Sequence, residues 1–240
     1  MLIYCLYIFL GILPTLLWLL FYLRKDSHPE PKLMVLKIFF CGFLMALPAI
    51  LLETGLFNIF NLLAKIKIPS LVILLLNFFI SVAFVEEILK YFVVRLMVLK
   101  DPEFDEPVDA VIYMIIAALG FAAAENILIL ASLGANLFWP AFLSLTFLRF
   151  WGAIFLHGLS SGLLGYFLAL AFFQIKKRKR YLITGLSLAV LLHGLFNLFI
   201  MKIDENNFYL IANILILSGL ALFLSFTFKR LKKLKSVCQI

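Results

Sequence analysis

The sequence predicts an all-α, polytopic transmembrane bundle of about seven spans, with its N-terminus outside and its C-terminus in the cytoplasm. Three observations carry that prediction. Hydrophobic residues make up 65% of the 240 positions and charged ones only 14%, whereas soluble domains average roughly 45–50% and about 25%. Seven apolar runs of about 20 residues or more are present, each long enough to cross about 30 Å of hydrocarbon. The basic residues fall on one side of a seven-span topology, with 14 in the loops after spans one, three, five and seven and three in the others, as the positive-inside rule requires.

The spans read as roughly 2–23, 33–57, 70–98, 108–133, 139–174, 181–201 and 208–228. The first is expected to remain as a membrane helix. No basic residue precedes it, its apolar stretch exceeds a signal-peptide core, and Arg24 and Lys25 follow it. The second can continue as a short interfacial piece towards Ala64, with Glu53 at its outer end reading as interfacial. The third and fifth are long enough to tilt. Between spans three and four, Asp101 to Asp109 carries acids, and Pro107 falls in the next first turn. That pattern is a helix start with acids at its positive end, or alternatively a cation-binding or substrate-guiding loop. Residues 1–240 form a single membrane-embedded domain: N-terminal spans in 1–69, a motif-bearing core at about 70–201, a last span at 208–228 and a basic tail at 229–240.

The formal net charge of +8 does not indicate nucleic acid, because the positive charge lies in short runs beside apolar segments. Cys5, Cys41 and Cys238 have neither metal-ligand spacing nor the look of a disulfide framework.

Four spans contain groups that lipid does not tolerate without cause. Span three holds Glu86, Glu87, Lys90 and Arg95; span four holds Glu125 and Asn126; span five holds Arg149, His157, Ser160 and Ser161; span six holds His193 and Asn197. A charge at the bilayer centre costs roughly 2.5–3.5 kcal/mol on insertion scales. Lys90 lies four residues from Glu86 and three from Glu87, so it can neutralise either. At 1.5 Å per residue, Glu86, Glu125, His157 and His193 lie about 20, 25, 27 and 18 Å from their cytoplasmic ends. They therefore share a zone near mid-membrane, and one polar cavity explains that best. Singly, each has a plainer reading: a hydrogen-bonded core histidine, a carboxylate holding two helices, or, for Arg149 and Arg95, a counter-ion or a snorkelling side chain.

A glutamate and a histidine at one depth can activate water for attack on a carbonyl, and the Asn197 amide, one turn from His193, can stabilise an oxyanion. Glu86, Glu125, His157 and His193 can instead ligate Zn²⁺. The cofactor is therefore none, or zinc. No His-Glu-x-x-His pattern is present to decide.

The ordered set Glu86-Glu87-x-x-Lys90, Phe121-x-x-x-Glu125-Asn126, His157 and His193-x-x-x-Asn197 resembles the PrsW family of intramembrane proteases, related to the CAAX-prenyl endopeptidase and bacteriocin-processing superfamily. The likeness runs from about residue 24 to 200, including Pro29-Glu30-Pro31 and Glu106-Pro107-x-Asp109. The resemblance implies a multi-pass protease of the bacterial cytoplasmic membrane that cuts membrane-anchored, single-span proteins. Its implied role is site-1 cleavage of an anti-sigma factor. It also implies Glu86 as base and His193 with Asn197 as oxyanion donors. The prenyl endopeptidases have histidine where this chain has Glu125, so the partner of Glu86 is either His157 or Glu125. Lys90 stands where those relatives carry arginine, and with Asn126 it would tune the charge of the site.

Two other functions fit parts of the sequence. Gly158-Leu159-Ser160-Ser161-Gly162 matches Gly-x-Ser-x-Gly, which with His193 would make a rhomboid-like serine protease. That motif needs a strand-turn-helix context, and here it lies within a helix. Carboxylates and histidines in a bundle also serve proton- or ion-coupled transporters, although no inverted repeat of the transporter kind is visible.

Overall fold

The computed structural model describes residues 2–25, 28–132 and 152–233. These residues form helices and no strand. In chain order they are α1 (Leu2–Leu23), α2 (Lys32–Leu44), α3 (Ala46–Leu62), α4 (Ser70–Leu76), α5 (Val85–Met97), α6 (Pro107–Ser132), α7 (Ile154–Phe173), α8 (Arg178–Ile200) and α9 (Asn207–Leu231). Joined end to end where they continue one another, they give seven segments long and apolar enough to span a membrane, the number expected.

Two expected spans are not the continuous helices the apolar pattern suggests. The second breaks at Met45, between α2 and α3. Pro48 sits in the first turn of α3 and has no N–H to offer the Leu44 carbonyl. The third is interrupted by a π-helical segment, Asn77–Phe84, between α4 and α5. π-turns are rare and recur at functional positions; this one ends just before Glu86. Residues 139–151 of the fifth span, Arg149 among them, lie outside the described residues, and the helix described there begins at Ile154. The sixth starts at Arg178, so part of the basic run lies within its first turn.

α6 and α7 form the inside of the bundle. Buried residues make up 72% and 83% of their most apolar stretches, against 22–33% in the other five spans. A helix apolar all round belongs in an interior, and small residues allow that fit. A Cβ on Gly42 would lie 2.1 Å from the Ala117 carbonyl oxygen, and one on Gly120 would lie 2.0 Å from that of Phe39. The α2 and α6 backbones thus touch through two glycines, the close approach typical of membrane helix packing. Gly165 repeats the device between α7 and the first turns of α6.

The loop between spans three and four follows the helix-start reading. Asp109 Oδ2 accepts hydrogen bonds from the backbone N–H groups of Asp105 and Glu106, at 3.1 and 2.7 Å. Pro107 opens α6, where its missing N–H costs nothing. His28 pairs with Glu106, and Tyr113 donates its hydroxyl hydrogen to Glu30. These contacts tie the first loop to the α6 entrance.

Candidate active site

Glu86 and Glu87 lie in the first turn of α5, two and three positions after the π-helical segment ends at Phe84. Consecutive helical residues point about 100° apart, so one neighbouring helix cannot serve both. The bundle gives each acid its own surroundings, and both are buried, as are Lys90, His157 and His193.

Glu87 is directed at α7 and α8. Its Oε1 accepts from Ser160 Oγ at 3.1 Å, and its Oε2 from Ser161 Oγ at 2.7 Å. His193 Nδ1 lies 2.9 Å from Oε1. Lys90 Nζ donates to Glu87 Oε1 at 2.9 Å and to Glu86 Oε2 at 3.1 Å. The lysine therefore pairs with both acids at once. It also lies 4.7 Å from the centre of the Phe121 ring, a cation–π contact.

The contacts assign the imidazole tautomers. An ammonium has donors only, and Lys90 Nζ stands 2.8 Å from His157 Nδ1, so Nδ1 is the accepting nitrogen. The His157 Nε2–H is then left to donate to Glu125 Oε2, at 2.8 Å. In His193 the order is reversed: Nδ1–H donates to Glu87, which leaves Nε2 as the unprotonated nitrogen. Both unprotonated nitrogens lie near Glu86 Oε2, His193 Nε2 at 3.8 Å and His157 Nδ1, which already accepts from Lys90, at 3.5 Å.

One carboxylate oxygen and two unprotonated ring nitrogens thus gather, with all three atoms within 4.8 Å of one another. A tetrahedral zinc with bonds of about 2.0–2.1 Å sets its ligand atoms about 3.3 Å apart. The donor types suit a divalent ion, and their spacing, up to 4.8 Å, would have to contract towards that value to close around one. Each histidine also has a carboxylate on its other nitrogen, Glu125 for His157 and Glu87 for His193, the outer-shell support that metal-bound imidazoles usually carry. Lys90 Nζ already bonds two of these donor atoms, His157 Nδ1 and Glu86 Oε2, so an ion there would take both contacts from it and leave the Glu87 contact in place.

Of the residues singled out in the sequence, Glu86, Glu87, Lys90, Glu125, His157 and His193 meet in one cluster. Glu125 is not within the tight three-donor group but on the outer side of His157. Asn126 is buried on α6 beside Glu125. Asn197, one turn beyond His193, is half-buried, and among the described residues its side chain makes no hydrogen bond to the cluster. The single Ser160 hydroxyl hydrogen is directed at Glu87 at 3.1 Å, with the His157 carbonyl as a longer alternative acceptor at 3.4 Å. It has no imidazole partner, so the Ser160/His193 pair of a serine protease is not formed.

Two contributors were not expected. Ser161 makes the shorter of the two serine bonds to Glu87; the only hint in the sequence was a paired hydroxyl on an otherwise apolar helix. Glu53 read as interfacial because the second span was placed to end at about 57. α3 runs on to Leu62, so Glu53 lies well within it. It lines a cavity of 380 Å³ together with Glu86 and Glu125. Ala46 and Ala49 form part of the same wall.

Acids and imidazoles gathered inside a seven-span bundle describe a membrane-embedded hydrolytic site. Comparison with known proteins identifies which one. The profile of the PrsW family, described as PrsW family intramembrane metalloprotease, matches residues 30–224. Protease PrsW of Geobacillus kaustophilus is 31% identical over 190 residues, covering 79% of this chain and 77% of the relative. Protease PrsW of Oceanobacillus iheyensis is 30% identical over 192 residues, covering 80% and 81%. For Protease PrsW of Bacillus subtilis the identity is 29% over 206 residues, covering 84% and 85%. No solved structure matches. The chain belongs to the PrsW family of intramembrane proteases. It is a peptidase, and a multi-pass bacterial membrane protein.

Proposed function

We propose that Glu86, His157 and His193 hold a zinc ion, and that Glu125 takes the proton from the water that attacks a peptide bond of a membrane-anchored, single-span protein. The observation that carries this reading is the convergence of one carboxylate oxygen and two ring nitrogens within 4.8 Å. Two imidazoles and one carboxylate form a ligand set found in water-activating zinc sites. An ion so held would supply Lewis-acid polarisation of the scissile carbonyl.

The remaining roles fall to the chain's own residues. The Glu125 side chain is 30% exposed, while those of Glu86, Glu87 and Lys90 are 5% or less. Glu125 lines the cavity, so it can reach a water and pass the proton on to a leaving amine. Glu87 is a positioning residue: it fixes the His193 ring with Nε2 towards Glu86. Lys90 compensates the charge of Glu86 and Glu87 in a setting where an unpaired carboxylate is strongly unfavourable. The small side chains of Ala46 and Ala49 leave room for an extended substrate strand beside Glu86.

The resemblance set out above makes an anti-sigma factor the first substrate to try. The test is co-reconstitution in liposomes with a single-span anti-sigma-factor-like protein, with the cut mapped by mass spectrometry. Cleavage at one site near or within the substrate span, lost with Glu125→Gln, is expected. Full cleavage by Glu125→Gln would overturn its role as base, and cleavage only of soluble peptides would overturn the substrate class.

A further inference from the structure

A second cavity, of 680 Å³, lies away from the acid–histidine cluster, between the C-terminal ends of α1 and α9 and the start of α7. We propose that it is a binding site for one anionic phospholipid, the phosphate at its mouth and an acyl chain in its depth.

The polarity of the lining runs in one direction. Lys25, Lys229 and Lys232 stand at one end, and Trp18, Phe155 and Ala221 at the other. Trp18 precedes Lys25 by seven residues, which on a helix is about 10 Å. The apolar walls are ordered: Trp18 stacks on Phe155 with centroids 4.3 Å apart, and Tyr22 stacks on Phe228 at 6.5 Å. A headgroup-sized basic mouth over a narrow apolar slot is amphipathic in the same sense as a phospholipid. The volume falls within the range of small-molecule sites.

The charge at the mouth is selective. Lys229 and Lys232 are three apart, so they share a helix face. The intervening Arg230 turns away and donates to the Tyr166 hydroxyl at 3.0 Å. Lys25 lays its stem along the wall, with Nζ 4.7 Å from the Phe21 ring centre. Among the described residues no acid lines the cavity, and none of the three lysines has an acidic partner. Three lysines between membrane helices, with no acidic partner among the described residues, call for a phosphate, and basic pockets so placed take anionic headgroups. A zwitterionic lipid would bring its own cation into the same ring and be disfavoured. Phe155 and His157 lie about 200° apart around α7, so the acyl chain would back the helix on the side opposite the histidine.

Native mass spectrometry of the full chain in neutral detergent, with equimolar phosphatidylglycerol and phosphatidylcholine, tests the site. One retained phosphatidylglycerol per protein is expected, with preference weakened roughly fivefold for each lysine removed. The triple variant Lys25→Gln/Lys229→Gln/Lys232→Gln should lose the preference. Lys176→Gln/Lys177→Gln/Lys179→Gln removes equal charge elsewhere and should keep it. Ala221→Trp, which fills the slot without changing charge, should also abolish retention, and glycerol 3-phosphate should not displace the lipid. Equal loss in the two triple variants, retention by Ala221→Trp, or displacement by glycerol 3-phosphate would each overturn the proposal.

Discussion

Glu87 accepts the Nδ1–H of His193 at 2.9 Å, and that one bond turns the Nε2 lone pair of His193 towards Glu86. Glu87 also takes up two serine hydroxyls and the Lys90 ammonium. Its oxygens are therefore committed to holding other groups, whereas the neighbouring Glu86 meets both histidines and the cavity. Two adjacent acids thus divide the work.

Replacing Glu87 should consequently act through His193. For Glu87→Gln we expect zinc affinity to fall roughly 10–100-fold, the usual effect of losing an outer-shell partner. Competition with a metallochromic chelator measures it. A variant that folds less well but binds zinc as tightly as wild type would contradict the positioning role.

Lys90 pairs with both acids and borders the atoms proposed to hold the metal. Lys90→Met should destabilise the metal-free protein by about 3–5 kcal/mol, as breaking a buried ion pair does. It should also enlarge the rise in Tm on adding zinc, because the ion would then compensate the acids alone. Thermal melts with EDTA and with zinc check both. Equal metal-free melting of variant and wild type would refute the pairing.

Ser160 and Ser161 donate hydrogen bonds to Glu87, and among the described residues neither pairs with an imidazole. Ser160→Ala should cost no more than roughly 10–150-fold in activity, since a single hydrogen bond to a charged group is worth about 1.5–3 kcal/mol. Ser161→Ala, which removes the 2.7 Å bond, should lose more. A fluorophosphonate probe should label neither, and labelling abolished by Ser160→Ala would reinstate a serine mechanism.

The glycine crossing of α2 and α6 is what allows α6 to lie inside. Gly120→Val would place a Cβ against the Phe39 carbonyl, which backbone cannot readily move aside. A loss of about 3 kcal/mol or more is expected from such overpacking, read as a lowered Tm in detergent. An unchanged Tm would mean the two backbones are not this close.

The number of spans and the membership of the cluster were legible because lipid makes each polar residue conspicuous. Glu86, Lys90, Glu125, His157 and His193 are visible against apolar runs, and the lysine spacing from both acids anticipates its two ion pairs. Backbone irregularities were less visible. The π-helical turn before Glu86 lies in Asn77–Phe84, where an apolar run carries no signal of the register change. Glu53 was misplaced because its helix end was drawn five residues early. The division between Glu86 and Glu87 depends on which helix each faces, and only packing decides that. Asn197 shows the converse: spacing of one turn from His193 does not by itself bring an amide into the cluster.

We propose that Glu86, His157 and His193 together bind the ion that makes the site a peptidase. Metal analysis of purified, detergent-solubilised protein after exposure to zinc and gel filtration tests it most directly. We predict about one zinc per chain for wild type, and loss of that zinc in Glu86→Gln, His157→Ala and His193→Ala variants that still melt cooperatively. Retention of a full equivalent by those three folded variants would contradict it.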